Sequence, residues 1–156
     1  MTTSQLIQKF EEIFNGNPWH GASTYDLLSS IPADRFTQIV APGKKSIAHV
    51  LEHLLSWRQL GIEVMKGNQD FKIPINSDMD WPTPQPKGDP KAYYLSRFEE
   101  SQTEILSLLK TKNEEWLDEQ TPNKEYNNAY LMQGIVEHDL YHSGQVGIFN
   151  SLLNQS

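Results

Sequence analysis

The segment VEHDLYHSGQ, residues 136 to 145, sets His138 and His142 four residues apart in a chain with five histidines and no cysteine. On a helix this spacing stacks one imidazole above the other, so that both can turn a ring nitrogen toward a single ion. At about 100° per residue, Leu131, Ile135, His138, His142, Gln145, Phe149 and Leu153 fall on one side of such a helix. Gln133, Glu137, Gly144 and Ser151 fall on the other. Both histidines thus belong to the stripe expected to face the core. Burying an imidazole costs free energy unless its nitrogens find partners, so the pair needs a chemical reason to be there.

A helix from Ser46 toward Gly67 supplies a third inward histidine. His53 shares its phase with Val50, Trp57, Leu60 and Val64, and is expected to point inward. His49 falls with Glu52, Ser56, Gln59 and Glu63, a polar strip expected to face water. One inward histidine is satisfied by a hydrogen bond within the core. Three of them on two facing helices are better matched to a metal ion, held by His53, His138 and His142 as helix bundles hold such ions. Three neutral nitrogens without a thiolate suit zinc or nickel first, with iron or manganese as alternatives, and ligand type alone does not choose among them. Three protein ligands leave at least one position for water or substrate, as in catalytic rather than closed structural sites.

The elements that must position these side chains are helical. Residues 4–15 repeat apolar positions at helical spacing (Leu6, Phe10, Ile13, Phe14) and stop at NGNP. Ser23 with Asp26 opens a short helix, TYDLLSS, that ends before Pro32. Gly43 or Ser46 can cap the helix that carries His53. Asp89-Pro90 gives an N-cap and a first-turn proline to a helix through about Lys112. A turn around EEWLDE follows, and Asn127-Asn128 opens the last helix. No stretch alternates with period two. The expected fold is all-α: a four-helix bundle forming a single domain over 1–156, with a long crossover at 67–90 between the second and third long helices. So long a connection is either a proline-stiffened surface excursion or a functional cover.

Composition limits the partners. Twenty acidic against thirteen basic residues leave a net charge of −7, which would repel a phosphate backbone, so nucleic-acid binding is not expected. No apolar run reaches the ~18 residues of a membrane span, and the N-terminus reads as an amphipathic helix rather than a leader. Without cysteine there is neither a disulfide frame nor a protein thiolate, and a cytoplasmic setting is the expectation.

Taken together, SIAHVLEHLLSW and EHDLYHSGQVG resemble the DinB-like, or YfiT-like, superfamily, and NPWHGAST and MDWP resemble one subgroup of it. The resemblance spans nearly the whole chain, and the H-x3-H-x-G-Q element is its most specific part. It implies a four-helix bundle with one divalent ion held by one histidine of the second long helix and two of the last, which carries over to His53, His138 and His142. It also implies, for some members, transfer of a low-molecular-weight thiol such as bacillithiol or mycothiol to a small electrophile.

A thiol bound at an open metal position would lose its proton and become a nucleophile near neutral pH. Hydrolysis by metal-bound water is the alternative, although no carboxylate falls on the site face of either ligand helix to serve as base. A third alternative is a metal-stabilised bundle without turnover, monomeric or homodimeric, in which Gly134, Gly144 and Gly147 permit close helix approach within the chain or between chains. His20 is the candidate catalytic group outside the triad: it would orient substrate or shuttle a proton, or else be a surface histidine beside a packing tryptophan. Trp81 is a candidate for substrate contact at the mouth, or an anchor of the crossover. Gln145 is a second candidate for substrate contact.

Overall fold

The computed structural model describes residues 1–123 and 125–155. Among these residues six α-helices follow one another: α1 (Thr3–Asn15), α2 (Thr24–Ser30), α3 (Ile47–Met65), α4 (Pro90–Leu109), α5 (Glu114–Asp118) and α6 (Asn128–Leu153), with a 3-10 turn at Ala33–Phe36. No strand occurs among the described residues. Each α-helix opens on a side chain that accepts from its first-turn backbone: Thr2, Ser23, Ser46, Asp89, Asn113 and Asn127. Such caps satisfy N–H groups that the helix itself leaves without partners. Ser46, not Gly43, caps α3, and the imidazole Nδ1 of His49 accepts from the Ser46 backbone to complete a capping box.

The helix α3 packs against both α4 and α6, and α1 lies against the same two. Apolar side chains form two clusters along this axis. One holds Phe14, Phe36, Leu51, Leu54, Phe98 and Val146. The other holds Leu6, Phe10, Ile62, Ile105, Met132 and Ile135. Between them runs a polar layer centred on Arg58, whose side chain is only 2% exposed. Its Nε donates to Asp139 Oδ2 at 2.9 Å, Nη1 to Ser101 at 2.9 Å and Nη2 to Gln102 at 3.1 Å, while Phe14 and Phe98 flank the guanidinium. Gln102 in turn donates to the carbonyl of Phe10 at 3.0 Å, so one layer ties all four long helices together.

Several expectations need correction. Glu52 does not face water: it is buried and accepts from Tyr94 Oη at 3.0 Å and from Arg97 Nη1 at 2.8 Å. Because α3 is covered on two sides, by α4 as well as α6, a single inward phase underestimates its buried face. Nor do Gly134, Gly144 and Gly147 mark close approach within the chain, since a Cβ built at each meets nothing within 4 Å. The close approach is at Gly61, where a Cβ would lie 2.6 Å from Ile135 Cδ1. Trp19 is not a packing residue. It is 98% exposed.

Candidate metal centre

Three side chains from two helices converge beside the polar layer. The Nε2 atoms of His53 and His138 lie 3.0 Å apart. The ring of His142 lies edge-on to both, with centroids 4.8 Å from His53 and 4.4 Å from His138. One ligand atom from each of the three falls within 4.8 Å of the others. The stripe on α6 and the inward phase of α3 bring them to this point, and the Gly61 contact lets the two helices come close enough.

The outer nitrogens show how the rings are held. His53 Nδ1 donates to the backbone carbonyl of Asp80 at 2.7 Å, and Asp80 Oδ1 lies 3.0 Å from the same nitrogen. His142 Nδ1 donates to Gln145 Oε1 at 2.7 Å. With protons held on both Nδ1 atoms, the Nε2 lone pairs of His53 and His142 are left to accept, as metal ligation requires. His138 differs: its Nδ1 is buried without a partner among the described residues. Burial, together with His142 and His53 beside it, pushes the pKa of His138 down to about 3. Burial also lowers that of His142, with Gln145 opposing and His53 adding to the effect. Near neutral pH these rings are therefore uncharged and able to bind a cation.

These residues fit a divalent ion. Tetrahedral zinc at ~2.0–2.1 Å from two imidazole nitrogens keeps them roughly 3.3 Å apart, close to the spacing of His53 and His138. The orienting carboxylate was missed in the sequence. Asp80 lies in the crossover, where no helical period reveals which way a side chain points. A turn at Pro74–Trp81, with Asn76 at φ 61°, folds it inward: the Asn76 backbone donates to Asp80 Oδ2 at 2.8 Å and Trp57 Nε1 donates to Oδ1 at 2.9 Å. Only the MDWP motif hinted that this stretch mattered.

The same turn brings Trp81 flat onto His53, with ring centroids 3.8 Å apart and planes within 4°. Lys45 Nζ sits 4.1 Å from the Trp81 ring centroid. Trp81 thus shields one face of a candidate ligand as well as anchoring the crossover. Gln145 is engaged by His142. Tyr141 is exposed, its ring edge-on to His142 with centroids 4.9 Å apart. His20 is exposed and makes no hydrogen bond, ion pair or ring contact among the described residues.

The sequence profile of the DinB family matches residues 1–153. The chain belongs to the DinB family. Its fold is similar to the crystal structure of a DinB-like protein, YjoA, from Bacillus subtilis, at 17% sequence identity with a TM-score of 0.67 over 97% of this chain and 94% of that one. A comparison with curated proteins returns no match. Among the described residues of this DinB-family chain, no helix is long and apolar enough to cross a membrane.

Proposed function

We propose that the protein binds one divalent ion, zinc or nickel first, through His53, His138 and His142, and that it is a metal-dependent S-transferase joining a low-molecular-weight thiol to a small electrophile. The long helices α1, α3, α4 and α6 would act as a four-helix bundle, with the 67–90 crossover closing over the site. The observation that carries this reading is the convergence of three imidazoles, with the outer nitrogens of His53 and His142 already tied to Asp80 and Gln145. A bound ion would supply Lewis acidity, lowering the pKa of a coordinated thiol so that the thiolate forms near neutral pH.

The chain's own groups favour thiol transfer over hydrolysis. Hydrolysis needs a free base beside the site, and Asp80, Glu52 and Glu137 are engaged, while Asp139 is paired with the buried Arg58. Both oxygens of Asp80 accept from neighbours, Glu52 is held by Tyr94 and Arg97, and Glu137 is exposed with Gln133. A thiol needs no such base once its proton has been lost to solvent. Trp81 excludes water from one face of His53, and Asp80 and Gln145 fix the tautomers of the rings they touch.

The test is a cobalt-substituted protein titrated with low-molecular-weight thiols. A new sulfur-to-metal band, together with thiol-dependent loss of an electrophile, supports the transferase. Turnover that proceeds equally without thiol would support the hydrolase instead. A dimeric form has its own support in the outer side of α6, where Tyr130, Tyr141, Ile148 and Leu152 are exposed. Apolar side chains in one such row mark an association surface. We propose a homodimer across it, which sedimentation velocity tests directly.

A further inference from the structure

A cavity of about 460 Å³ opens beside His53 and His138, between α3, α6 and the crossover turn. Its walls are aromatic: Trp57, Trp81, Tyr126 and Tyr130. Ile75, Leu131 and Ile135 complete them. We infer that this cavity takes an uncharged, planar, largely apolar small molecule with one hydrogen-bonding group, and that it is where the electrophile sits. This assignment builds on the metal site proposed above and adds the class of molecule delivered to it.

Charge decides the class. No lysine, arginine or glutamate lines the cavity, and its one carboxylate, Asp80, already accepts from His53, Trp57 and Asn76. Away from an ion on the histidines, a charged ligand would lose its hydration with no charged side chain of the lining free to replace it, a cost of several kcal/mol in an apolar site. An uncharged ring system loses little hydration and gains stacking against the aromatic walls. Tyr126 and Tyr130 lie 5.3 Å apart between centroids, and neither hydroxyl has a protein partner among the described residues. They supply the rim with donors for a carbonyl or similar group. A concave, mainly apolar site with a few convergent polar groups is the usual form of a small-molecule site.

Space on α6 supports the same conclusion. Gly134 lines the cavity, and a Cβ built there meets nothing within 4 Å. The free volume therefore reaches the helix backbone one turn before His138. Leucine at this position would occupy the cavity without disturbing the packed face of the helix, and would raise helix propensity.

The test uses 2-acetylnaphthalene, which is uncharged, and naphthalene-2-sulfonate, which carries the same ring system with a charge and is a poor metal ligand. Binding is followed by calorimetry and by the indole N–H signals of 15N-labelled protein, with zinc affinity measured on the same samples. The uncharged probe should bind at least about tenfold more tightly than the sulfonate, reflecting the cost of burying the charge. It should shift the signals of Trp57 and Trp81 while leaving those of Trp19 and Trp116 in place. Gly134→Leu should weaken the probe by roughly tenfold or more with zinc affinity and helix content unchanged. Equal affinity for the two probes, no binding of either, or binding indifferent to Gly134→Leu would overturn the assignment. Zinc binding without probe binding sinks this inference alone, whereas probe binding without zinc binding sinks the metal reading and leaves the cavity's preference standing.

Discussion

His49 and His53 are one helical turn apart and have different partners. His49 Nδ1 closes the capping box at Ser46, whereas His53 Nε2 turns toward His138. Accordingly, His53→Ala should abolish high-affinity zinc binding. His49→Ala should leave zinc binding intact and cost about 1 kcal/mol of stability through the lost cap. Calorimetric zinc titration and urea unfolding of both variants check this, and equal zinc loss in the two would contradict it. A second expectation follows from His138, whose folded pKa of about 3 lies below its ordinary 6.5. Below pH 6.5 the unfolded chain binds a proton that the folded chain refuses, so stability should rise with pH between about 3 and 6.5 and fall as the solution is acidified through that range. Urea midpoints of metal-free protein at pH 7.0 and 5.0 report it, and His138→Gln should flatten the slope. All three histidines were legible in the sequence because each lies on a regular helix, where phase translates into direction. Asp80 was not, because its direction is set by the turn at Pro74–Trp81 and a backbone hydrogen bond from Asn76.

Among the elements, the crossover does more than link α3 to α4. It brings the backbone carbonyl and Oδ1 of Asp80 and the flat face of Trp81 onto the ring of His53. Groups that orient a metal-binding imidazole typically contribute 10–100-fold in affinity, and Asp80→Ala should weaken zinc binding by about that factor. Competition against a chromogenic chelator measures the change, and an unaltered affinity would show that the Asp80 carboxylate does not orient His53. Asp80 also ties down Trp57 and Asn76, so the variant should loosen the crossover as judged by proteolysis. The extent and order of the helices followed from caps and apolar spacing, and α4 ends at Leu109, slightly before the expected Lys112. What the apolar period could not show was that α3 is packed on two sides. Glu52 looked solvent-facing by phase, yet Tyr94 and Arg97 of α4 cover it, and the glycine that admits the neighbouring helix is Gly61 rather than those of α6.

At the scale of the whole molecule, two apolar clusters are separated by the Arg58 layer, with the three histidines at the same level. Neither Arg58 nor Asp139 stood out in the sequence, because their pairing is a tertiary contact between residues 81 positions apart. Removing one partner leaves the other as a buried, unpaired charge. Asp139→Leu or Arg58→Met alone should therefore cost about 3–5 kcal/mol, whereas the double variant should recover most of that loss. A double-mutant cycle by urea unfolding reads this, and additive losses would show that the pair is not coupled. Metal binding belongs to the same scale, because the unfolded chain cannot hold His53 beside His138 and His142, and saturating ion should raise the melting temperature of the intact protein.

The most direct test of the central claim is elemental analysis of protein purified without a metal-affinity column, combined with zinc titration of the metal-free chain and of the His53→Ala, His138→Ala and His142→Ala variants. One divalent ion per chain, lost in each variant and protective against thermal unfolding, is the predicted result. A wild-type chain that takes up no ion, or one whose ion survives all three substitutions, would contradict it.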